Sequence, residues 1–379
     1  MGNYYSKDYT IRPTAEGDTE AVMAMYDHSR SLMRSDGNTV QWVGYPTLAQ
    51  LQADMGRKAS FVVADAEGHP MGTFALVPGE EPTYGIIVHG RWLDTASAYA
   101  TLHRLAKLPG AHGIAEAAFA FAKQRCPHLR IDTHESNRAL RRLAWSEGFV
   151  ECGIVYMADG TERLAYEWWR WDEVPATLRE WVEREVLPQY DRFDAAHRRD
   201  HARRVIARAM LMQRTPTVYA AAAMHDLGLA EGREEHHLAS GRIIRSCDEL
   251  LQWFSTDERE LIAQAAEDHR ASSQRPPRSP LGCIIAEADR DVEPERIVRR
   301  TVEYGLAHYP AMDREGHWQR TLQHLHEKYA EGGYIRLWLP SSPNAAPLAE
   351  LRTLIRDEAR LRTLFDQFYS PNTEHQLPI

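Results

Sequence analysis

Near Trp171 the spacing of apolar residues changes character, and no one layered fold serves both halves of the chain. Upstream, short runs rich in β-branched and aromatic residues alternate with stretches of helical period, the pattern of a sheet flanked by helices. Strands are predicted at Tyr9–Arg12, Phe61–Ala64, Met71–Val77, Ala98–Lys107, Leu129–Thr133, Gly153–Met157 and Leu164–Trp168, and helices at Asp18–Met33, Ile114–Arg125 and Asn137–Glu147. The turn-like Glu67-Gly68-His69-Pro70 makes a hairpin of the second and third strands. Downstream, nearly everything repeats with the helical period. Thr215-Pro216 and Ser279-Pro280 each place a capping hydroxyl before a proline at the first helical position. Ser255 with Glu258 forms a capping box, and Leu348–Phe368 reads as a last helix. The expectation is two domains: an α+β mixed sheet flanked by helices over residues 1–170, and an all-α helical bundle over residues 171–379.

Charge narrows the partners. A net charge of −9 argues against binding a nucleic-acid polymer through a broad basic surface. Only five of the 45 basic residues are lysines (Lys7, Lys58, Lys107, Lys123 and Lys328), and none lies between 124 and 327. A phosphate bound in that stretch must be held by arginine or by a metal ion. Four scattered cysteines without a C-x-x-C pair speak against a disulfide framework. No apolar run approaches a membrane span, and the polar amino terminus lacks a signal-peptide core, so a cytoplasmic protein without a membrane partner is expected. Gly2 and Ser6 match the short myristoylation pattern, which by itself gives only marginal membrane binding.

The second half carries ionisable side chains where an apolar helical face would bury them. The run Tyr219–Met224 ends in His225-Asp226, and Ile284–Ala288 ends in Asp289. Buried imidazoles and carboxylates are costly unless paired or bound to metal. With His201, these residues resemble the H…HD…D signature of the HD superfamily of metal-dependent phosphohydrolases, over roughly residues 178–368. The resemblance implies metal ligation by His201, His225, Asp226 and Asp289, with His237 and His269 serving a second ion and Asp226 central to catalysis. His236 competes with His237 for that place. Imidazole and carboxylate together suit iron, manganese, cobalt or zinc, one ion or two, and open positions allow water to be acidified for attack on phosphorus. Arg270, Arg275 and Arg278 are candidates to hold a phosphate, or else belong to a solvated loop; His197 reads as an ordinary histidine.

The first half resembles the GNAT family of acyl-CoA-dependent N-acyltransferases over roughly residues 9–168. The resemblance rests on Ile11-Arg12-Pro13, His103-Arg104-Leu105-Ala106, the loop Gly110-Ala111-His112-Gly113-Ile114-Ala115, Ile131–Glu135 and Gly148-Phe149. It implies that acetyl-CoA is held by Leu105, Lys107, Gly110, His112, Gly113, Ala115 and Asn137, the pyrophosphate resting on amides at a helix start. Gly110 stands where the family pattern has Gln or Arg, and Ala144 where many members have a proton-donating Tyr. Trp145 cannot donate a proton at neutral pH, which leaves Tyr156 as the candidate acid.

The expected activity is therefore twofold: hydrolysis of a phosphate ester or anhydride, with a nucleotide the expected substrate, and acetyl transfer to a small amine. The alternative is a phosphohydrolase whose first half binds acyl-CoA without transferring it, as a sensor or assembly module. The substrate, the acceptor amine, the metal and the oligomeric state stay open.

Overall fold

A computed structural model describes residues 9–194, 197–273 and 275–369. Gly2 and Ser6 lie outside the described residues. The chain divides into two compact units, Met1–Asp172 and Glu173–Ile379.

The first unit is built on strands β1 (Thr10–Pro13), β2 (Ser60–Ala64), β3 (Pro70–Pro78), β4 (Ile87–Val88), β5 (Ala100–Lys107), β6 (His128–Thr133), β7 (Val150–Tyr156) and β8 (Glu162–Trp169). They form one mixed sheet in the order β1-β2-β3-β5-β6-β8-β7-β4. Helices α1 (Thr19–Ser35), α2 (Leu48–Gly56), α3 (Ile114–Arg125) and α4 (Arg138–Ser146) flank it. Its core joins Val63, Phe74, Leu129 and Ile131 of the strands to Ile114, Ala118 and Phe119 of α3. Helix α2 was not expected; its start is fixed by Thr47, whose side chain accepts from the Gln50 amide.

Strand β5 departs from regular pairing in two ways. Opposite β3 its register slips between Thr73 and Ala75, and Arg104 adopts a left-handed φ of 53°, so one extra residue is accommodated as a bulge. Alongside β6, its one parallel neighbour, it pairs only at Ala100↔Leu129 and Thr101↔Arg130. Gly72 on β3 lets α3 start directly against the sheet, since a Cβ there would lie 2.1 Å from Ile114.

The second unit is helical: α5 (Ala176–Trp181), α6 (Arg199–Met212), α7 (Pro216–Met224), α8 (His236–Ser246), α9 (Thr256–Asp268), α10 (Pro280–Asp289), α11 (Pro294–His308), α12 (Arg314–Tyr329), α13 (Ala345–Arg356) and α14 (Glu358–Phe368). Thr215, Ser255 and Ser279 cap α7, α9 and α10 as their sequences indicate. The last helix is two, not one: at Asp357 the backbone leaves helical geometry, and its carboxylate accepts from the Arg360 amide to start α14. Small side chains bring the inner helices together, since Ala220–Ala223 on α7 and Ala263, Ala265 and Ala266 on α9 are fully buried. A second cluster of Val298, Trp318, Leu325, Leu351 and Phe365 packs α11 to α14.

Glu287 ties α10 to the segment before α13. Its buried carboxylate accepts from the Trp338 and Leu339 amides, the Ser342 hydroxyl (2.6 Å) and the Asn344 side-chain amide. Removing the acceptor leaves several donors unsatisfied at about 1–3 kcal/mol each. Glu287→Ala is therefore expected to weaken the clamp by about 4 kcal/mol or more. Amide exchange will show it as lost protection at Trp338 and Leu339; unchanged protection there would contradict the clamp.

Candidate metal centre

Helix termini deliver the candidate ligands. His225 follows the buried α7, and His269 follows α9; each ring places Nδ1 against the carbonyl three residues earlier, Ala222 (2.8 Å) and Ala266. These are carbonyls that a helix end leaves without an amide partner. A carbonyl only accepts, so each ring donates from Nδ1 and directs Nε2 the other way. His236 at the start of α8 repeats the arrangement, with Nδ1 2.9 Å from the Arg233 carbonyl. Such hydrogen bonds from the far nitrogen orient metal-binding imidazoles.

The freed nitrogens converge on Asp226. Its Oδ2 lies 3.3 Å from His225 Nε2 and 3.7 Å from His201 Nε2. Its Oδ1 lies 3.2 Å from His269 Nε2 and 3.4 Å from His236 Nε2. Asp289, at the end of α10, adds Oδ1 at 3.2 Å from His201 and 3.7 Å from His225. Two groups thus meet at one carboxylate: His201, His225 and Asp289 on one side, His236 and His269 on the other. Tyr190 holds Asp226 from behind, its hydroxyl donating to the Ala223 carbonyl (2.9 Å) and accepting from the Asp226 amide (3.3 Å).

His237 does not join this group. Neighbouring helical residues point about 100° apart, so α8 can turn only one of its two histidines toward Asp226, and that one is His236. The phase of α8 is set by close contact with Gly228, where a Cβ would lie 2.0 Å from the His236 carbonyl. His237 sits half-buried beside His236, and burial with the nearby His269 and Arg270 pushes its pKa down to about 4.

Electrostatics mark the centre as a cation site. Burial works against ionised Asp226 and Asp289, yet the surrounding imidazoles outweigh it and hold both well below the usual carboxylate range. Burial also opposes a charged His225, but the carboxylates of Asp226 and Asp289 hold its pKa up at about 10. His201 and His236 are pulled below the ordinary value, chiefly by burial. His201 Nε2, His225 Nε2 and Asp226 Oδ1 are buried without a hydrogen-bond partner. Two imidazole nitrogens, those of His236 and His269, face each other at 3.2 Å. A cation answers all of these at once, so the residues fit a divalent metal. Beside them opens a cavity of about 500 Å³ lined by Asp226, His236, His269, Asp289, Arg270 and His197. His197 thus reaches the cavity wall, which its sequence context does not reveal. Arg278 is engaged instead by Asp268 and Glu267.

Residues 198–292 match the family model for the HD domain. That span contains all six converging residues, and an HD domain implies a divalent metal. The N-terminal part of the chain is similar to solved acetyltransferases. One, a GNAT-family acetyltransferase from Streptococcus agalactiae, is 27% identical, spans 43% of this chain and 95% of its own, and has a TM-score of 0.39. A GNAT-family acetyltransferase from Listeria monocytogenes is 16% identical over 43% and 95%, with a TM-score of 0.35. An N-acetyltransferase from Staphylococcus aureus is 19% identical over 43% and 98%, with a TM-score of 0.31. Comparison with curated proteins gave no match. Among the described residues no helix is long and apolar enough to cross a membrane.

In the first unit, Gly110, His112, Gly113 and Ala115 lie at the start of α3, whereas Asn137 and Tyr156 stand on other elements. Gly110 and Gly113 adopt left-handed φ of 74° and 76°, and Gly113 caps the helix that Ala115 continues. Lys107 Nζ donates to the Ala111 carbonyl (2.6 Å), and the His112 carbonyl accepts from the Tyr9 hydroxyl (2.9 Å). Leu105 packs on the edge of the core. Asn137 caps α4 by accepting from the Leu140 amide (3.2 Å). Tyr156 is exposed at the end of β7, its hydroxyl 3.3 Å from Glu162, while Ala144 is fully buried.

The HD domain is expected to retain about one to two transition-metal ions per chain. His236→Ala should reduce metal content measured by mass spectrometry, whereas His237→Ala should not. Protonated imidazoles do not ligate. His225 must release a proton when metal binds, so affinity is expected to rise with pH, and titration calorimetry in buffers of different ionisation enthalpy will count the proton.

Proposed function

We propose that the second unit is a metal-dependent phosphohydrolase. The observation that carries the reading is Asp226, whose two carboxylate oxygens each face two imidazole nitrogens at the wall of a cavity. A divalent ion bound by these residues supplies Lewis acidity, lowering the pKa of water and stabilising charge on phosphoryl oxygens. His201, His225 and Asp289 would hold one ion, His236 and His269 another, with Asp226 common to both. The backbone carbonyls of Ala222, Arg233 and Ala266 keep Nε2 of three rings aimed at the centre. Arg270, placed on the cavity wall by its bond to the Glu234 carbonyl, brings positive charge to a phosphate there. In the reaction a water oxygen bonds to phosphorus, the ester or anhydride P–O bond breaks, and the leaving oxygen takes up a proton. A nucleotide is the substrate proposed, on the family resemblance.

His225→Ala is expected to lower kcat by about 10²–10³, the scale for losing charge stabilisation in a preorganised site, with KM little changed. Assay with Mn²⁺ and Fe²⁺ over mononucleotides, cyclic nucleotides, dinucleoside polyphosphates and sugar phosphates checks this. Metal-loaded protein that leaves every substrate intact would sink the hydrolase reading and leave a regulatory domain.

For the first unit the reading is acetyl-CoA binding at the start of α3. The glycine-shaped loop and the first-turn amides, which lack intrahelical acceptors, suit a pyrophosphate. Transfer of the acetyl group to an amine, with Tyr156 as acid, is the fuller proposal. Binding without transfer is favoured by Ala144, which offers no proton, and by the engagement of Tyr156 with Glu162. Gly113→Asp is expected to abolish CoA binding in calorimetry, because its carboxylate would oppose the pyrophosphate and its side chain would strain the left-handed backbone. Wild-type protein with no CoA affinity would refute the binding reading.

A further inference from the structure

Two residues beyond Asp289, the chain places a carboxylate that the proposed hydrolysis leaves unused. Asp291 is nearly buried, and guanidinium groups close on it from two helices: Arg208 of α6 at 3.5 Å, and Arg296 and Arg300 of α11 at 3.7 and 3.4 Å. Arg204, one turn before Arg208, lies within electrostatic reach of Asp291, Arg208 and Arg296. Lys328, the one lysine beyond Lys123, comes from the end of α12 into the field of Asp289 and Asp291.

Asp289 is taken up by His201 and His225, so these five cations face Asp291 and, beside Arg204, Asp200. Among the described residues, no ion pair to Asp291 is shorter than 3.4 Å. One carboxylate cannot saturate guanidiniums that offer five N–H donors each. Arg204 Nε is buried with no acceptor at all. Burial and the adjacent Arg296 pull the Arg204 pKa down to about 10, which still leaves it charged at neutral pH. Among the described ion pairs, Arg208, Arg296 and Arg300 share this one carboxylate, which leaves guanidinium N–H groups for a further anion. The group also opens outward, since the Arg300 side chain is 42% exposed.

The cluster adjoins the metal centre through the backbone. Two residues of chain span at most about 7 Å, so the turn that carries Asp289 also carries Asp291. Arg208 donates to the carbonyl of Arg290 between them (3.1 Å). Arg208 and Lys328 also lie within electrostatic reach of Asp289, which itself contacts His201 and His225, so the cations and the centre share a carboxylate neighbour, and the arginines bring planar forks suited to bidentate phosphate recognition.

We propose that Arg204, Arg208, Arg296, Arg300 and Lys328 form an anion subsite for a further phosphate group of the substrate, which is therefore a molecule with two or more linked phosphates and not a simple monoester. The subsite deepens the phosphohydrolase reading and rests on it for the placement of the first phosphate.

Inorganic tripolyphosphate and orthophosphate, titrated calorimetrically into the full chain with its metal at constant ionic strength, test the subsite. Tripolyphosphate should bind about ten-fold tighter or more, the worth of one added charge-assisted hydrogen bond. Arg300→Gln, at an exposed position, should erase most of that advantage while orthophosphate affinity and metal content stay as they were. Arg204→Gln should do the same; where it fails to fold, Arg300→Gln with Arg296→Gln replaces it. Equal affinity for the two anions in the wild type, or a preference that survives Arg300→Gln, would overturn the subsite while metal content still supports the hydrolase. A tripolyphosphate preference lost in Arg300→Gln, in protein that takes up no metal, would keep the subsite and overturn the hydrolase.

Discussion

Asp226 is the residue on which the second unit turns. A carboxylate this deeply buried is tolerable only if cationic or strongly polar partners surround it, and it takes four imidazoles to do so here. Those imidazoles come from α6, the end of α7, the start of α8 and the end of α9, so satisfying one side chain fixes four helices. Asp289 adds α10, and Glu287 on the same helix fastens the segment before α13. The alanines of α7 and α9 follow from this demand, because large side chains would hold the helices too far apart for ring nitrogens to meet. Packing here serves polar geometry as much as apolar burial.

Much of this could be read from residue order. Apolar runs that end abruptly in His225-Asp226 and Asp289 betray chain that is buried and still ionisable, and capping hydroxyls before prolines mark helix starts with little ambiguity. The choice between His236 and His237 could not be read so. It depends on the rotational phase of α8, which the backbone contact at Gly228 decides and no periodicity records. Tyr190 was missed because a tyrosine in a short 3-10 helix carries no sign that its hydroxyl bridges Ala223 and Asp226. The arginines around Asp291 were hidden for a related reason: they come from α6 and α11, far apart in sequence, while the arginines that stood out, such as Arg278, are spent on neighbouring acids. Asp357 hid the break between α13 and α14 because apolar spacing continues across it.

The first unit shows how the same limits bear on a sheet. Its strands were legible from alternation and turn residues, including the hairpin of β2 and β3, and α3 lies over the residues its periodicity indicates. Strand order was not legible, because β3 beside β5, β6 beside β8 and β7 beside β4 are neighbours out of chain order that only the assembled sheet specifies. Nor was the bulge at Arg104, where a non-glycine residue takes a left-handed conformation. That residue has its own anchors: its guanidinium reaches Asp54 of α2 at 2.6 Å and the Tyr45 hydroxyl at 2.6 Å. The bulge is therefore secured from a helix that the sequence did not announce.

Gly228 carries no functional group, yet it sets the tightest tolerance in the centre. Its amide donates to the Ser240 hydroxyl at 2.9 Å, and its missing side chain is what lets α8 rest on the backbone just beyond Asp226. Adding a single methyl group would drive α8 outward and carry His236 with it, while His201, His225 and Asp289, on other helices, would keep their places. His236 is thus mechanically separable from the other five, because it alone among them rides on α8. Over evolutionary time, the set of imidazoles around Asp226 can change through one carbon atom at a position that bears no side chain of its own.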